Sequence, residues 1–475
     1  MNRYKKLASN TVILGIGTFG SKLLVFLLMP FYTAMLSTAE YSTAELITST
    51  ANLLIPVACV GISQGIFRFA ADRESDKEAV FSSSVALLLG GSAGFLLLSP
   101  LLTLADYFTG YTVLIVAYVL SANLQAVCAQ YVRAVDRTRL FALQGTFNTL
   151  VTVGCNILFL AVFELGVTGY VLSVIVGNLL TTLLLILTAR LWRVFRPSRI
   201  KKELILQLLR FSLPLIPTTV CWLITDLSDR YMVTYFWGDS VNGVYSAAYK
   251  IPTVVNLVAG IFLQAWQFSA VAESADQKTC SAFYSKVFGG FLAVISIGSA
   301  GLILSSELLS ELLLNSAYHG AKTYIPTLLC AVAVEAAVSF LASVYLVRKK
   351  SMHSFLTAVL GTLLNVLLNL LLIPRMGALG AAVATLAAYC AVLAVRMIDV
   401  PRILPFRLHL PRLLASLTLL FASAAFMTAD GAWRYIPVSL LTLAIAAINA
   451  PDLLRSARQI LRREKEEPAS VDTEK

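Results

Sequence analysis

Residues Asp226–Lys250 read DLSDRYMVTYFWGDSVNGVYSAAYK. Long apolar segments flank this stretch, and the short turn around Gly238–Asp239 joins them into a helical hairpin. The hairpin places Asp226, Asp229, Arg230 and Lys250 at depths where the flanking sequence predicts hydrocarbon. A charge there costs roughly 2.5–3.5 kcal/mol or more, so such residues face a protein interior or a water-filled cavity.

Working outward, the composition agrees with a bilayer as solvent. Of 475 residues, 58% are hydrophobic and 13% charged, against about 25% charged in a soluble domain. Repeated apolar runs of about 20 residues predict an all-α, polytopic membrane protein. The alternating ten-residue segments of a transmembrane barrel are not present. The net charge of +11 would suit nucleic acid, but the basic residues sit in short loops between apolar runs. That is the positive-inside pattern, so the expected partner is the lipid bilayer and not nucleic acid. The seven cysteines are scattered and form no C-x-x-C. They read as small buried hydrophobes, and no metal or cofactor is expected. The apolar run after MNRYKK is too long for a signal-peptide core and reads as a first span.

Fourteen spans are predicted, near residues 10–36, 42–67, 79–104, 110–132, 140–163, 167–189, 211–237, 242–271, 287–306, 323–347, 354–374, 378–395, 413–429 and 433–450. With the N-terminus inside, 31 of the 37 Lys/Arg fall in cytoplasmic segments and three in outer loops. That asymmetry predicts both termini cytoplasmic. The polar linker Arg190–Arg210 divides the chain into an N-lobe at 1–200 and a C-lobe at 201–408. Spans 13 and 14 occupy 409–450, and a cytoplasmic tail follows at 451–475.

The lobes read as parallel repeats. YSTAE at Tyr41–Glu45 matches YSAAY at Tyr245–Tyr249. GTFN at Gly145–Asn148 matches GTLLN at Gly361–Asn365, and GVTGYV at Gly166–Val171 matches GALGAAV at Gly377–Val383. Prolines interrupt spans 1, 2, 7 and 8 at Pro30, Pro56, Pro214, Pro217 and Pro252. These are either hinges or the ordinary prolines of membrane helices. Candidate cavity residues are Lys22, Arg68, Arg230, Lys250, Asn148, Asn365 and Asn369. Glu45, Asp226, Asp229 and Glu335 form a candidate charge network. Each charge either lines a cavity or braces helices, and each amide either meets substrate or bonds helix to helix. Asp226 and Arg230, four apart, share a helix face.

The segments SDRYMVTYFWGDSVNGVYSAAYKIP (Ser228–Pro252), FLQAW (Phe262–Trp266), MPFYTAMLSTAEYSTAE (Met29–Glu45) and GISQGIFRF (Gly61–Phe69) carry a family resemblance. The chain resembles the polysaccharide and oligosaccharide flippases of the multidrug/oligosaccharidyl-lipid/polysaccharide exporter superfamily. The resemblance implies two six-helix lobes working by alternating access in a bacterial inner membrane. It implies movement of an undecaprenyl-pyrophosphate-linked oligosaccharide from inner to outer leaflet, with polysaccharide assembly proteins as possible partners. It also implies that cations of spans 1, 2 and 8 line the cavity, where this chain has Lys22, Arg68 and Lys250. The coupling ion is not specified by the sequence. Two rivals are a multidrug antiporter of the same superfamily, which the embedded carboxylates would suit, and a membrane glycan polymerase or ligase. The second needs a large outer catalytic loop, and the longest outer loop here is Ser306–Lys322.

Overall fold

The computed structural model describes residues 24, 26–72, 75–104, 110–213, 216–272, 277–348 and 350–466. The described residues form helices and turns and no strands. The first helices are α1 (Met29–Met35), α2 (Thr38–Ala58), α3 (Ile62–Ala70), α4 (Lys77–Leu98), α5 (Thr112–Ala134), α6 (Thr138–Asn156) and α7 (Gly166–Ala189). Next come α8 (Lys202–Ser212), α9 (Ile216–Trp237), α10 (Asp239–Lys250), α11 (Thr253–Ala272), α12 (Gln277–Leu304) and α13 (Ser306–Leu313). The last are α14 (Ile325–Val347), α15 (Ser351–Met376), α16 (Ala378–Ile403), α17 (Leu410–Met427) and α18 (Tyr435–Glu466).

Local sequence sets several of these boundaries. Ser37 caps α2 reciprocally with Glu40: the Glu40 N–H donates to Ser37 Oγ, and the Ser37 N–H donates to Glu40 Oε2 at 2.9 Å. Such a box satisfies two amides that the helix start leaves unpaired. Asp76 caps α4 by accepting from the Ala79 N–H at 3.1 Å. The break between α2 and α3 falls at Val60 and Gly61, both left-handed, with φ of 52° and 65°. Glycine takes that conformation without strain, so the break forms here and not at Pro56 itself. Pro217 lies in the first turn of α9, where no helical hydrogen bond is lost. Pro252 sits in the turn between α10 and α11, whose axes bend by 43°.

Among the described residues, ten helices are long and apolar enough to cross a membrane, and two bent pairs, α8 with α9 and α10 with α11, raise the number to twelve. These twelve are predicted spans 3 to 14, so fourteen is not reached among the described residues. Predicted span 1 lies mostly outside them. Predicted span 2 is α2 followed by α3. Thr38, Glu40, Ser42, Thr43, Glu45, Thr48 and Thr50 make α2 too polar to count by composition. Two further boundaries differ from expectation. The linker after Arg190 carries a short helix at Leu191–Val194 and then α8 from Lys202, because KELILQLLRFS has the apolar spacing of an amphipathic helix. The last helix runs on to Glu466 through good helix formers.

By packing, the chain forms two compact units. Unit 1 is Met1–Ala247 with Leu313–Tyr318, and unit 2 is Ala248–Leu312 with His319–Lys475. In unit 1, α7 packs on α5 and α6, and α2 lies against α5, α7 and α9. One apolar cluster joins Ile62 and Ile66 of α3, Phe81 of α4, Val127 and Tyr131 of α5 and Leu185 of α7. A second joins Ile47 of α2, Ile115 and Tyr118 of α5 and Val171 of α7. In unit 2, α14 is the hub. Its apolar window is 78% buried, against 6% for α4, so α14 is packed by helices while α4 keeps a lipid-facing surface. An aromatic cluster surrounds Phe340 of α14, with Trp266, Phe288 and Phe291 at 5.3, 5.0 and 5.4 Å between ring centroids.

Candidate functional site

The polar face of α2 explains its composition. Glu45 is 3% exposed, and its Oε2 accepts from Arg230 Nη1 of α9 at 2.6 Å. Glu45 lies seven residues from the start of α2, and Arg230 seven from the end of α9. At 1.5 Å per residue both stand about 10 Å in from their helix ends, so the pair closes without either side chain reaching along its helix. The other carboxylate oxygen accepts from Tyr170 OH of α7 at 3.3 Å. Tyr170 packs edge-on against Tyr32 of α1, with centroids 5.2 Å apart. The Asn156 amide donates to Tyr32 OH at 3.1 Å. A buried carboxylate is tolerated when it is both paired and hydrogen-bonded, which is the case here.

Around this pair, α2 and the hairpin exchange further polar contacts. Thr50 Oγ1 and Tyr231 OH share a hydrogen bond of 2.7 Å. Asn242 donates to Ser42 Oγ at 2.8 Å, and Ser42 donates to Asp239 at 3.4 Å. Asp229, 2% exposed, accepts from Tyr245 OH at 3.0 Å. Gly243 permits the approach of α10 to α2: a Cβ added there would stand 1.8 Å from the Thr38 carbonyl oxygen.

The structure therefore brings Glu45, Asp229 and Arg230 into one buried part of unit 1. It does not pair Arg230 with its helix neighbour Asp226. The guanidinium crosses to Glu45, and the Asp226 side chain is exposed. Arg68, in the last turn of α3, is exposed. Lys250 is half-buried as the last residue of α10. Lys22 lies outside the described residues. In unit 2, Glu335 accepts from the Asn256 amide at 3.1 Å.

Two of the predicted amides bond across helices, and the third bonds within its own. Asn148 of α6 donates to Asn178 and Thr181 of α7, both at 3.2 Å. Asn365 of α15 donates to Thr385 of α16 at 3.0 Å, and Asn369 donates to Asn365 Oδ1 at 3.0 Å. Asn148 and Asn365 are the matching residues of GTFN and GTLLN, and each donates to the helix that follows it, though to acceptors at different positions along that helix.

The apolar run stops at Val395, which predicts Arg396 in a cytoplasmic loop. It is instead 1% exposed inside α16. The tyrosines that dress Glu45 were also missed. A hydroxyl within an apolar run at helical spacing was the available signal.

Outside the spans, Glu307 of α13 gathers Tyr435, Lys322 and Arg434. The Tyr435 hydroxyl first, then the two cations, hold its carboxyl down at about 2.

Apolar helices of span length in two compact units, with a charge pair buried between helices of unit 1, define a polytopic helical membrane protein. The chain belongs to the polysaccharide biosynthesis protein family, whose pattern matches residues 7–273. Its fold is similar to that of a lipid II flippase, MurJ, in an inward closed conformation. The two are 16% identical, with a TM-score of 0.69 over 94% of this chain and 99% of that one. It is also similar to a multidrug resistance MATE family transporter of the MOP superfamily. The inward-facing form gives 14% identity and a TM-score of 0.66 over 82% of this chain and 98% of that one. The outward-facing form gives 14% and 0.60 over 83% and 95%. No curated protein matches the chain.

Proposed function

We propose that this protein is a flippase that moves an undecaprenyl-pyrophosphate-linked oligosaccharide from the inner to the outer leaflet of a bacterial cell membrane. It would work by alternating access and leave its substrate chemically unchanged. One observation carries the reading: a membrane-embedded arginine, Arg230, is held by a single buried carboxylate, Glu45, in a chain of the polysaccharide biosynthesis family. A guanidinium is the side chain best matched to a pyrophosphate. Glu45 acts as its resident counter-ion. An incoming headgroup exchanges with Glu45, so the buried cation is compensated before and after binding. Lys22, Arg68 and Lys250 are further candidate cations for the headgroup. The flippase named among the similar folds supports the lipid-linked class of substrate.

Loss of the protein should leave the lipid-linked oligosaccharide on the cytoplasmic leaflet, read by its accessibility to a membrane-impermeant glycosidase in spheroplasts and inverted vesicles. The double variant Glu45→Gln/Arg230→Gln, which strands no buried charge, should reproduce that defect with the protein still present in the membrane. Normal surface glycan, together with lost resistance to cationic dyes, would instead establish the drug-exporting activity named for the MATE neighbours.

A further inference from the structure

Unit 2 holds a second buried guanidinium, remote in sequence from the unit 1 pair. Arg396 of α16 donates from Nη1 to the Val338 carbonyl of α14 at 2.7 Å. Its Nε and Nη2 donate to Thr357 Oγ1 of α15 at 3.1 and 2.8 Å. Three helices thus meet on one cation, and none of these acceptors is an anion. The acid in this region, Asp399, is already engaged. Its Oδ2 accepts from Tyr345 OH at 2.7 Å and faces His353 Nδ1 at 2.9 Å. The Tyr345 ring lies between the two sets, 5.6 Å from the Arg396 guanidinium carbon and 5.8 Å from the His353 ring.

One turn beyond Tyr345, Arg348 closes α14. Its Nε and Nη2 are buried and have no hydrogen-bond partner among the described residues. A buried donor without an acceptor loses its water and gains nothing in return, and the loss is larger when the group is charged. Lys350 follows, tied back by its N–H to the Tyr345 carbonyl at 2.8 Å. Arg402 stands one turn after Asp399. Between residues 336 and 403 the sequence has one acid, Asp399, and Arg348, Lys350, Arg396 and Arg402 stand near it in sequence along the ends of α14 and α16 that the Tyr345–Asp399 bond joins. The turn lies just past the apolar window Ile325–Tyr345, on the side that the distribution of basic residues assigns to the cytoplasm. A basic niche between helices at that level suits an anionic headgroup.

We infer that Arg348, backed by Lys350 and Arg396, forms a binding site for the phosphate of an anionic phospholipid where α14, α15 and α16 meet. Two parallel N–H groups of the Arg348 fork supply the bidentate donor set that a phosphate diester accepts, and the acyl chains stay in the bilayer beside α15. The site is independent of substrate translocation, so lipid binding tests it whether or not the flippase reading holds.

The experiment is native mass spectrometry of the detergent-purified full chain, titrated with phosphatidylglycerol or phosphatidylcholine. The wild type should hold one phosphatidylglycerol about tenfold more tightly, and Arg348→Gln should abolish the preference. Arg348→Lys keeps the charge but not the fork and should retain part of it. Equal retention of the two lipids by the wild type overturns the inference without any variant. So does a preference that survives in Arg348→Gln of normal elution volume. Should Arg348→Gln fail to fold, Lys350→Gln, exposed and outside the packed helices, should still weaken the preference. An unchanged preference there counts against the site. Inorganic phosphate separates the sources: protection of the wild type from heat by phosphate alone, without phosphatidylglycerol binding, would make the ligand a soluble anion and overturn the lipid assignment.

Discussion

At Glu45 and Arg230 each charge is tolerable only because of the other. Removing one partner of such a buried pair costs about 3–5 kcal/mol, because the survivor is left uncompensated. Glu45→Gln should therefore lower the melting temperature of the purified protein sharply. Adding Arg230→Gln to it should recover part of the loss, since two neutral amides can bond to each other. A single variant that melts with the wild type would show that the charges are hydrated and not paired. Lys22→Ala should abolish flipping at normal protein level, because the sequence predicts this cation within span 1. Full activity at normal level would remove Lys22 from the site. Glu307 gives a pH prediction. Its carboxyl is held at about 2 in the folded protein, below the roughly 4.3 of a free glutamate. A depressed carboxylate contributes stability above the unfolded value, and that contribution fades as pH falls from about 4 toward 2. Glu307→Gln should flatten the acid limb of a melting-temperature profile over that window, and an unchanged limb would discard the Tyr435–Lys322–Arg434 clasp as its cause.

Between elements, close approach is what the small residues secure. A Cβ at Gly243 would stand 1.8 Å from the Thr38 carbonyl, backbone that cannot rotate away. Gly243→Ala should push α10 off α2 and cost about 1–3 kcal/mol, the usual range for overpacking. It should also weaken a Ser42→Cys/Asn242→Cys disulfide crosslink, because those residues hydrogen-bond at 2.8 Å in the unaltered contact. A crosslink of undiminished yield would mean the helices adapt. The paired amides show the other mode of contact. Asn148 and Asn365 each bond to the following helix, where hydrocarbon offers no competing partner.

For the whole molecule, the distribution of basic residues makes a claim about orientation that helix packing alone cannot make. Reporter fusions at Asp239 and Gly431 should read outside, and one at Ser198 inside. An inside reading at Gly431 would undo the assignment of α17 and α18 as a hairpin of spans.

Hydropathy by itself determined that the chain is a helical membrane protein. Runs such as Gly166–Ala189 and Ala378–Ile403 have no other stable state in a bilayer, where every backbone amide must be satisfied within its own segment. The sequence also picked Arg230 and Glu45 as embedded charges, since a charge inside an apolar run is conspicuous at any alignment. Which charge meets which was decided only by tertiary structure. Asp226 lies one turn from Arg230 in sequence, yet Glu45, 185 residues away, takes the guanidinium, because α2 packs against α9 at matching depth. Arg396 shows the same limit from the other side. At the end of an apolar run it reads as a loop residue, and it is buried because Val338 and Thr357, on two other helices, supply its acceptors. Burial is a property of neighbours, and one-dimensional hydropathy does not contain the neighbours.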